Sequence, residues 1–299
     1  MSAELADYAA IVLYYRYGVG VEDTLRSLLA QDPPPSHVVL VDNNSQDGVS
    51  SALSETEEFA QVAVLRLSSN LGYAGGMNAG VRSFPTRPAF LLFLTHEVIL
   101  EPSCLKAMLS AARESQASVV GPSLTIKNVG AVWSHGGLVT RTGSTRHITN
   151  VKKSGAAPVA WVDGACILIS RSAYEGARGF DERFFLYWED VDICLAARAY
   201  GGVICVSNAR ACQSTLTPPL YYADRNQILL WRKWHRPTLV VFSVLRSIAK
   251  LLIRDVWSAK ADRRGRCAAR LAAICDGLRD AHRPQHGQLR ENSLRSSPA

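Results

Sequence analysis

Val38-Val39-Leu40-Val41-Asp42-Asn43-Asn44-Ser45-Gln46-Asp47-Gly48 is an unbroken aliphatic run that ends in a cluster of short polar side chains. A run without alternation suits a strand covered on both faces, as in a parallel sheet, and the polar cluster suits its carboxyl end. Upstream, Ile11–Tyr15 repeats the pattern ahead of helical periodicity over Val21–Ala30. Pro33-Pro34-Pro35 then separates that helix from the strand. Downstream, the apolar runs Val62–Leu67 and Phe90–Leu94 alternate with helical patterns at Val49–Phe59, Ala74–Arg82 and Pro102–Glu114. This alternation predicts an α/β fold whose mostly parallel central sheet is flanked by helices.

The pattern changes near residue 118. Short strands are expected at Val119–Val120, Ala131–Ser134, Gly137–Thr140, Val159–Trp161 and Cys166–Ser170, making the sheet mixed. Thr142–Gly155 is rich in small polar and basic residues and reads as a mobile loop. Helices are expected over Asp190–Tyr200, stopped by Gly201-Gly202, and over Tyr221–Trp234. Residues 1–235 therefore read as one α/β unit, with a nucleotide-binding part at 1–117 and an acceptor and catalytic part at 118–235. A helical extension is expected over 236–285 and a disordered tail over 286–299.

The chain has 299 residues, 47% hydrophobic and 20% charged, a globular composition. Its net charge of +7 is unevenly spread: from Arg232 onward there are 15 basic and 5 acidic residues, leaving 18 against 21 before it. A near-neutral body with a basic C-terminal quarter is not a nucleic-acid-binding core, and Arg263-Arg264-Gly265-Arg266 lacks interleaved aromatics. Seven cysteines without a C-x-x-C pair suit buried thiols in a reducing cytosol. No signal peptide is evident, and no apolar run reaches the ~20 residues that span a bilayer. Over Thr238–Arg254, Val241, Val244, Leu245, Ile248 and Leu252 recur at helical spacing, with Arg246, Lys250 and Arg254 on another face. The helix either packs on the body with its charges in solvent or lies with its cations on an anionic membrane, giving a cytoplasmic protein that is peripheral on the inner face.

Four segments carry candidate chemistry. Asp42 closes a strand, where a carboxylate can accept hydrogen bonds from a base or ribose; capping of the next helix explains the same residues. The stretch from Asn70 to Gly80 lets backbone approach a ligand, or lets a helix pack tightly on the sheet. Thr95-His96-Glu97 sets a carboxylate beside an imidazole, a possible cation site or a surface turn. Trp161-Val162-Asp163-Gly164 and the segment Gly179–Asp192 are the densest, the latter with five carboxylates among five aromatic rings. Capping by Asp190 accounts for one acid of that cluster, not for all; Tyr187 and Trp188 offer flat surfaces of the kind that stack on sugar rings.

In this order the segments resemble the family-2 glycosyltransferases of GT-A fold, nearest the bacterial rhamnosyltransferase-like members. Val41–Gly48 resembles the family's V-D-N-x-S-x-D-G, Asn70, Gly72, Gly76, Asn78 and Gly80 match its glycine motif, and Arg178–Ile193 follows its G-G-F-D-E…E-D-x-D segment. The resemblance implies that Tyr15, Asp42, Asn44, Asn70, Gly72, Tyr73, Gly76, Met77 and Asn78 bind the donor, with Arg225 sharing neutralisation of its diphosphate. It makes Asp190 the general base beside Glu189 and Asp163, with Trp161, Tyr187 and Trp188 toward the acceptor. The reaction implied is inverting transfer of a sugar, rhamnose or another deoxysugar, from a dTDP- or UDP-sugar. The acceptor is a saccharide, lipid-linked in cell-envelope synthesis, or alternatively a small secondary metabolite; a non-catalytic nucleotide-sugar-binding protein is the rival of another class.

The chain departs from the family pattern at three positions. Tyr15-Arg16 replaces the family's Tyr-Asn, Thr95-His96-Glu97 replaces its Asp-x-Asp metal motif, and Gln213 stands where a late-strand histidine is frequent. A Mn or Mg ion is then held mainly by Glu97 and phosphate oxygens, or His96 substitutes as a ligand, or the ion matters less here.

Overall fold

The computed structural model describes residues 7–16, 20–150, 154–214, 219–256 and 263–281. Two compact units are present: the first comprises 1–138, 146–185 and 189–215, the second 139–145, 186–188 and 216–299. The division falls ahead of the helix at 220–233, which groups with the C-terminal helices rather than with the sheet. The expected tail at 286–299 lies outside the described residues.

The first unit is built on the expected α/β alternation: β1 (Tyr8–Tyr14), α1 (Val21–Leu29), β2 (His37–Asp42), α2 (Val49–Glu55), β3 (Val62–Arg66), α3 (Gly72–Ser83), β4 (Phe90–Thr95), β5 (Ile99–Leu100) and α4 (Cys104–Glu114). All seven residues of β1 are buried, as an unalternated central strand requires. Strands β3, β2, β1 and β4 are parallel neighbours. Helix α3 forms through a glycine-rich stretch of poor helix propensity because packing demands it. A Cβ on Gly76 would sit 2.5 Å from Leu13 Cδ1, and one on Gly80 2.6 Å from Ile11 Cγ2.

The remaining elements make the sheet mixed: β6 (Ala117–Ile126), β7 (Val132–Ser134), the ribbon of β8 (Gly137–Val139) and β9 (Thr145–His147), β10 (Ala156–Pro158), β11 (Cys166–Ser170), α5 (Arg171–Gly176), α6 (Glu189–Ala197) and β12 (Gly202–Gln213). The sheet order is β10-β12-β6-β11-β4-β1-β2-β3, with β5 on β12 and β7 on β6. β6 extends well beyond the expected Val119–Val120, and β12 is a long strand that was not among those expected. Gly121-Pro122 reads as a break, yet β6 runs straight through, with Gly121 facing Val162 where a Cβ would meet it at 2.6 Å. β12 is masked in sequence by polar Ser207-Asn208, which lie in an irregularity of its pairing with β6. The stretch expected as a loop contains β9; residues 151–153 lie outside the described residues.

The second unit holds α7 (Leu220–Lys233), α8 (Pro237–Lys250), a π turn at Leu251–Asp255 and α9 (Arg263–Arg279). Its interior contains charge. Arg270 of α9, itself buried, pairs with Asp224 of α7 and with Asp255, while Arg266 lies 2.9 Å from Asp255 and Lys250 2.9 Å from Asp224.

Candidate active site

The parallel strands end along one edge of the sheet, because Tyr14 is registered with Asp42, Asp42 with Arg66, and Leu13 with Thr95. Antiparallel β11 starts at this edge, Cys166 opposite Leu94, so the loop carrying Trp161 to Gly164 arrives there too. Ligands of open α/β sheets bind at such an edge.

At the ends of β1 and β2, Asp42 is buried and its carboxylate accepts from the Ser45 amide (2.8 Å) and the Ser50 hydroxyl (2.5 Å). These bonds close a turn after the strand and do not cap α2, whose N-cap is Gly48 without a side-chain cap bond; lone pairs remain on each Asp42 oxygen. Asn44 has φ +65°, turning the chain sharply after the strand. The Arg16 amide donates to Ser45 Oγ, tying the half-buried Tyr15-Arg16 turn to the same loop. Asn43, not among the expected residues, is the connector: it accepts from the Leu71 amide and donates to the Gly72 carbonyl, binding the end of β2 to the start of α3.

The glycine motif divides into two kinds of residue. Asn70 Oδ1 accepts from the Gly72 amide, and Gly72 has φ +72°. A Cβ there would lie 2.2 Å from the Phe185 carbonyl oxygen, so only glycine lets this turn meet the Phe185 backbone. Tyr73 is buried, and its hydroxyl donates 2.6 Å to the Gly164 carbonyl. Its amide donates to the Phe185 carbonyl. The rest of the motif is structural, which corrects the donor-binding expectation for Gly76, Met77 and Asn78. Gly76 lies against Leu13, and Met77 is fully buried. Asn78 accepts from the Tyr174 hydroxyl and the Phe180 amide and donates to the Phe180 carbonyl and Glu182, leaving no amide position for a ligand.

Asp190 is the second residue of α6, where unpaired amides favour negative charge. Its Oδ1 accepts from the Val191 amide (2.8 Å) and its Oδ2 from the Gly164 amide (3.1 Å). Burial, then the nearby Asp163 charge, push its carboxyl up to about 6, against the pull of those amides and of His147. Asp163 Oδ1 accepts from Trp133 Nε1 at 3.3 Å and lies 3.5 Å from His147 Nδ1. The His147 ring sits between Trp133 and Trp161, with centroids 4.9 and 5.0 Å away. Burial favours neutral His147, but the Asp163 carboxylate, with Asp190 beyond it, outweighs this and raises its pKa. His147 and Trp133 were missed in sequence: one sat in a stretch without periodicity, the other in a short strand. Trp133 is half-buried, whereas Trp161, expected toward the acceptor, is buried, its Nε1 directed at the Leu138 carbonyl and its ring against Gly137.

Glu189 differs from its neighbour. It is buried, Oε2 has no hydrogen-bond partner among the described residues, and burial with the adjacent Asp190 charge raises its pKa well above the carboxylate range. Glu189 is therefore an interior acid whose surroundings disfavour its charged form. In the second unit, Trp188 Nε1 donates to the Ala223 carbonyl, and Asn226 Nδ2 donates to the Leu186 and Tyr187 carbonyls. Tyr187 and Trp188 have φ of +68° and +76°, sparsely populated values for aromatic residues. Arg225 is buried; its guanidinium donates to the Ala281 carbonyl and Asn226 Oδ1, a structural arrangement that corrects its assignment to the diphosphate.

At the end of β4, His96 Nδ1 lies 3.5 Å from Glu97 Oε2, and Glu97 Oε1 accepts from Thr95 Oγ1. The His96 ring meets Tyr14 edge-on, and Tyr14 hydrogen-bonds to Asp47. No group of three or more His, Cys, Asp or Glu able to hold a metal occurs among the described residues. Glu97 and His96 therefore fit a cation only as a two-donor site completed by a phosphate-bearing ligand.

A mixed sheet with Asp42, Glu97 and Asp163 at one edge, and a helix-start acid against the Asp163 loop, defines a nucleotide-sugar transferase fold of the GT-A type. Residues 6–231 match the model of "Glycosyltransferase like family 2", and the chain belongs to that family. It is 29% identical over 210 residues to an N-acetylglucosaminyl-diphospho-decaprenol L-rhamnosyltransferase of Mycobacterium tuberculosis, covering 61% of this chain and 67% of that protein. Its fold is similar to that of GalNAc-T7 with UDP, GalNAc and Mn2+ (TM-score 0.68, 12% identity, 91% of this chain), of which it spans only 55%. It is similar also to residues 1–349 of S. aureus TarS in complex with UDP-GlcNAc (TM-score 0.62, 15% identity, 91% and 81% of the two chains).

Proposed function

We propose that this protein is an inverting glycosyltransferase in envelope or glycoconjugate synthesis, using a dTDP- or UDP-sugar and Asp190 as general base. The observation that carries this reading is the partly exposed Asp190 carboxylate, fixed by two backbone amides and held near pKa 6. A base with that pKa is largely ionised at neutral pH and still accepts a proton as an acceptor hydroxyl attacks. The acceptor oxygen forms a bond to the anomeric carbon on the face opposite the leaving group. Its proton passes to Asp190, and the bond from that carbon to the diphosphate oxygen breaks, its electron pair leaving with the nucleoside diphosphate. Asp163 and His147 orient the acceptor side of the site, and Asp42, Asn44, Tyr15 and the Asn70–Tyr73 turn receive the donor. A divalent cation bound by Glu97, His96 and the diphosphate would neutralise charge on the leaving group.

The M. tuberculosis relative, by its name a transferase of rhamnose to a lipid-linked N-acetylglucosamine, supports a deoxysugar donor and a polyprenyl-diphosphate-linked acceptor. A panel of dTDP- and UDP-sugars, with and without that acceptor, tests the assignment by release of nucleoside diphosphate and product mass. Acceptor-dependent turnover of dTDP-rhamnose is expected, reduced but not abolished by EDTA. Nucleotide binding without turnover on any donor would leave a binding protein instead.

A further inference from the structure

Helix α8 and the π turn after it carry their side chains inverted. Ser243, Ser247 and Asp255 face inward and are buried. Of the three cations expected on a solvent or membrane face, Arg246 donates to the carbonyl and hydroxyl of Thr142, and Lys250 pairs with Asp224. The outward face is apolar: Val241, Phe242, Leu245, Ile248, Leu252 and Ile253 are between 38% and 73% exposed. Six large apolar side chains on about four turns exceed the scattered exposure normal for a protein surface.

The exposed charges on the helices of this unit from 236 to 281 are predominantly basic among the described residues. Arg236, Arg254, Arg263, Arg264 and Arg279 are exposed, and Asp280 is the only exposed carboxylate among the described residues from 236 to 281. We propose that this face inserts into the interfacial region of an anionic lipid bilayer, its apolar side chains at the acyl boundary and its arginine fringe on the phosphates. No helix among the described residues is long and apolar enough to cross a membrane, so the contact is interfacial. A second copy of the chain fits less well, because face-to-face pairing would oppose two arginine fringes. Residues 282–299 contain Leu289 and Leu294 as their only large apolar residues, too few to complement the face.

The face is defined by exposure and charge within the second unit, and its test uses neither donor nor acceptor, so it stands or falls apart from the proposed reaction. The full chain is co-sedimented with phosphatidylglycerol-containing and with purely zwitterionic vesicles, at low and high salt. Binding to the anionic vesicles is expected, weakened but retained at high salt because the apolar contribution is not screened. The double variant Phe242→Ser, Leu245→Ser is expected to partition about tenfold or more less well. Its thermal unfolding and nucleotide affinity should match the parent, since both side chains are exposed. Parent-like vesicle binding by the variant would overturn the proposal, as would absence of binding by the parent. Loss of binding at high salt to background would reassign the contact to charge alone. A concentration-dependent dimer abolished by the same substitutions, without vesicle binding, would assign the face to a second copy.

Discussion

Asp190 sits between opposing influences: burial and Asp163 raise its pKa, while the Val191 and Gly164 amides and His147 lower it. In its proposed role as base it works only when ionised, so turnover at saturating substrate is expected to rise with pH through an acid limb near 6. Asp163→Asn removes a like charge and should move that limb downward. His147→Gln removes a positive charge and should move it upward. Rate profiles of the three proteins check the signs; shifts in the same direction would contradict the electrostatics of the cluster. Asp190→Asn should lower turnover by about 10²–10⁴ with nucleotide affinity retained, measured by steady-state kinetics and titration calorimetry. The position of Asp190 at the start of a helix was legible in sequence because its motif is local. The corrected residues were not: Asn78 and Arg225 show a polar group in sequence, but not the Tyr174, Phe180 and Ala281 atoms that occupy it.

Among the elements, those with unmixed signals were read well. β1 to β4 and α1 fall within a few residues of expectation, because aliphatic runs and helical periodicity report burial directly. β6 was underestimated and β12 was not placed, since Gly121-Pro122 and Ser207-Asn208 are tolerated by long-range pairing that no local window contains. Helix α8 was read correctly in extent and the wrong way round in facing. Periodicity separates two faces but does not say which is inside, and here Asp224 and Asp255 draw cations inward. Arg270→Met should therefore leave both carboxylates short of a partner in the interior. A loss of about 3–5 kcal/mol is expected in denaturant unfolding. A neutral result would mean that Arg266 and Lys250 suffice to compensate the two acids.

At the scale of the whole molecule, the acids at the start of α6 set function against stability. The folded pKa of Asp190 is raised from 3.8 to about 6, and that of Glu189 is raised from 4.5. Between those pH values the folded state binds more protons than the unfolded chain, so their linkage lowers stability as pH rises. Asp255 acts in the opposite sense. Burial raises its pKa, but hydrogen bonds from Arg270 and Arg266 outweigh this and lower it, so its contribution is present above the unfolded pKa and lost as pH falls. For Asp190, a shift of about 2 units corresponds to at most about 3 kcal/mol at neutral pH. Asp190→Asn removes that penalty, while one of the two amides that Asp190 accepts from loses its acceptor, at about 1 kcal/mol independent of pH. The variant should therefore melt at or below the parent near pH 4 and above it near pH 7.5, the difference growing mostly between about 4 and 6. A difference in melting temperature that stays constant across this window would show that Asp190 is not held in a raised state. The acid limb of the rate profile would then have to come from another group.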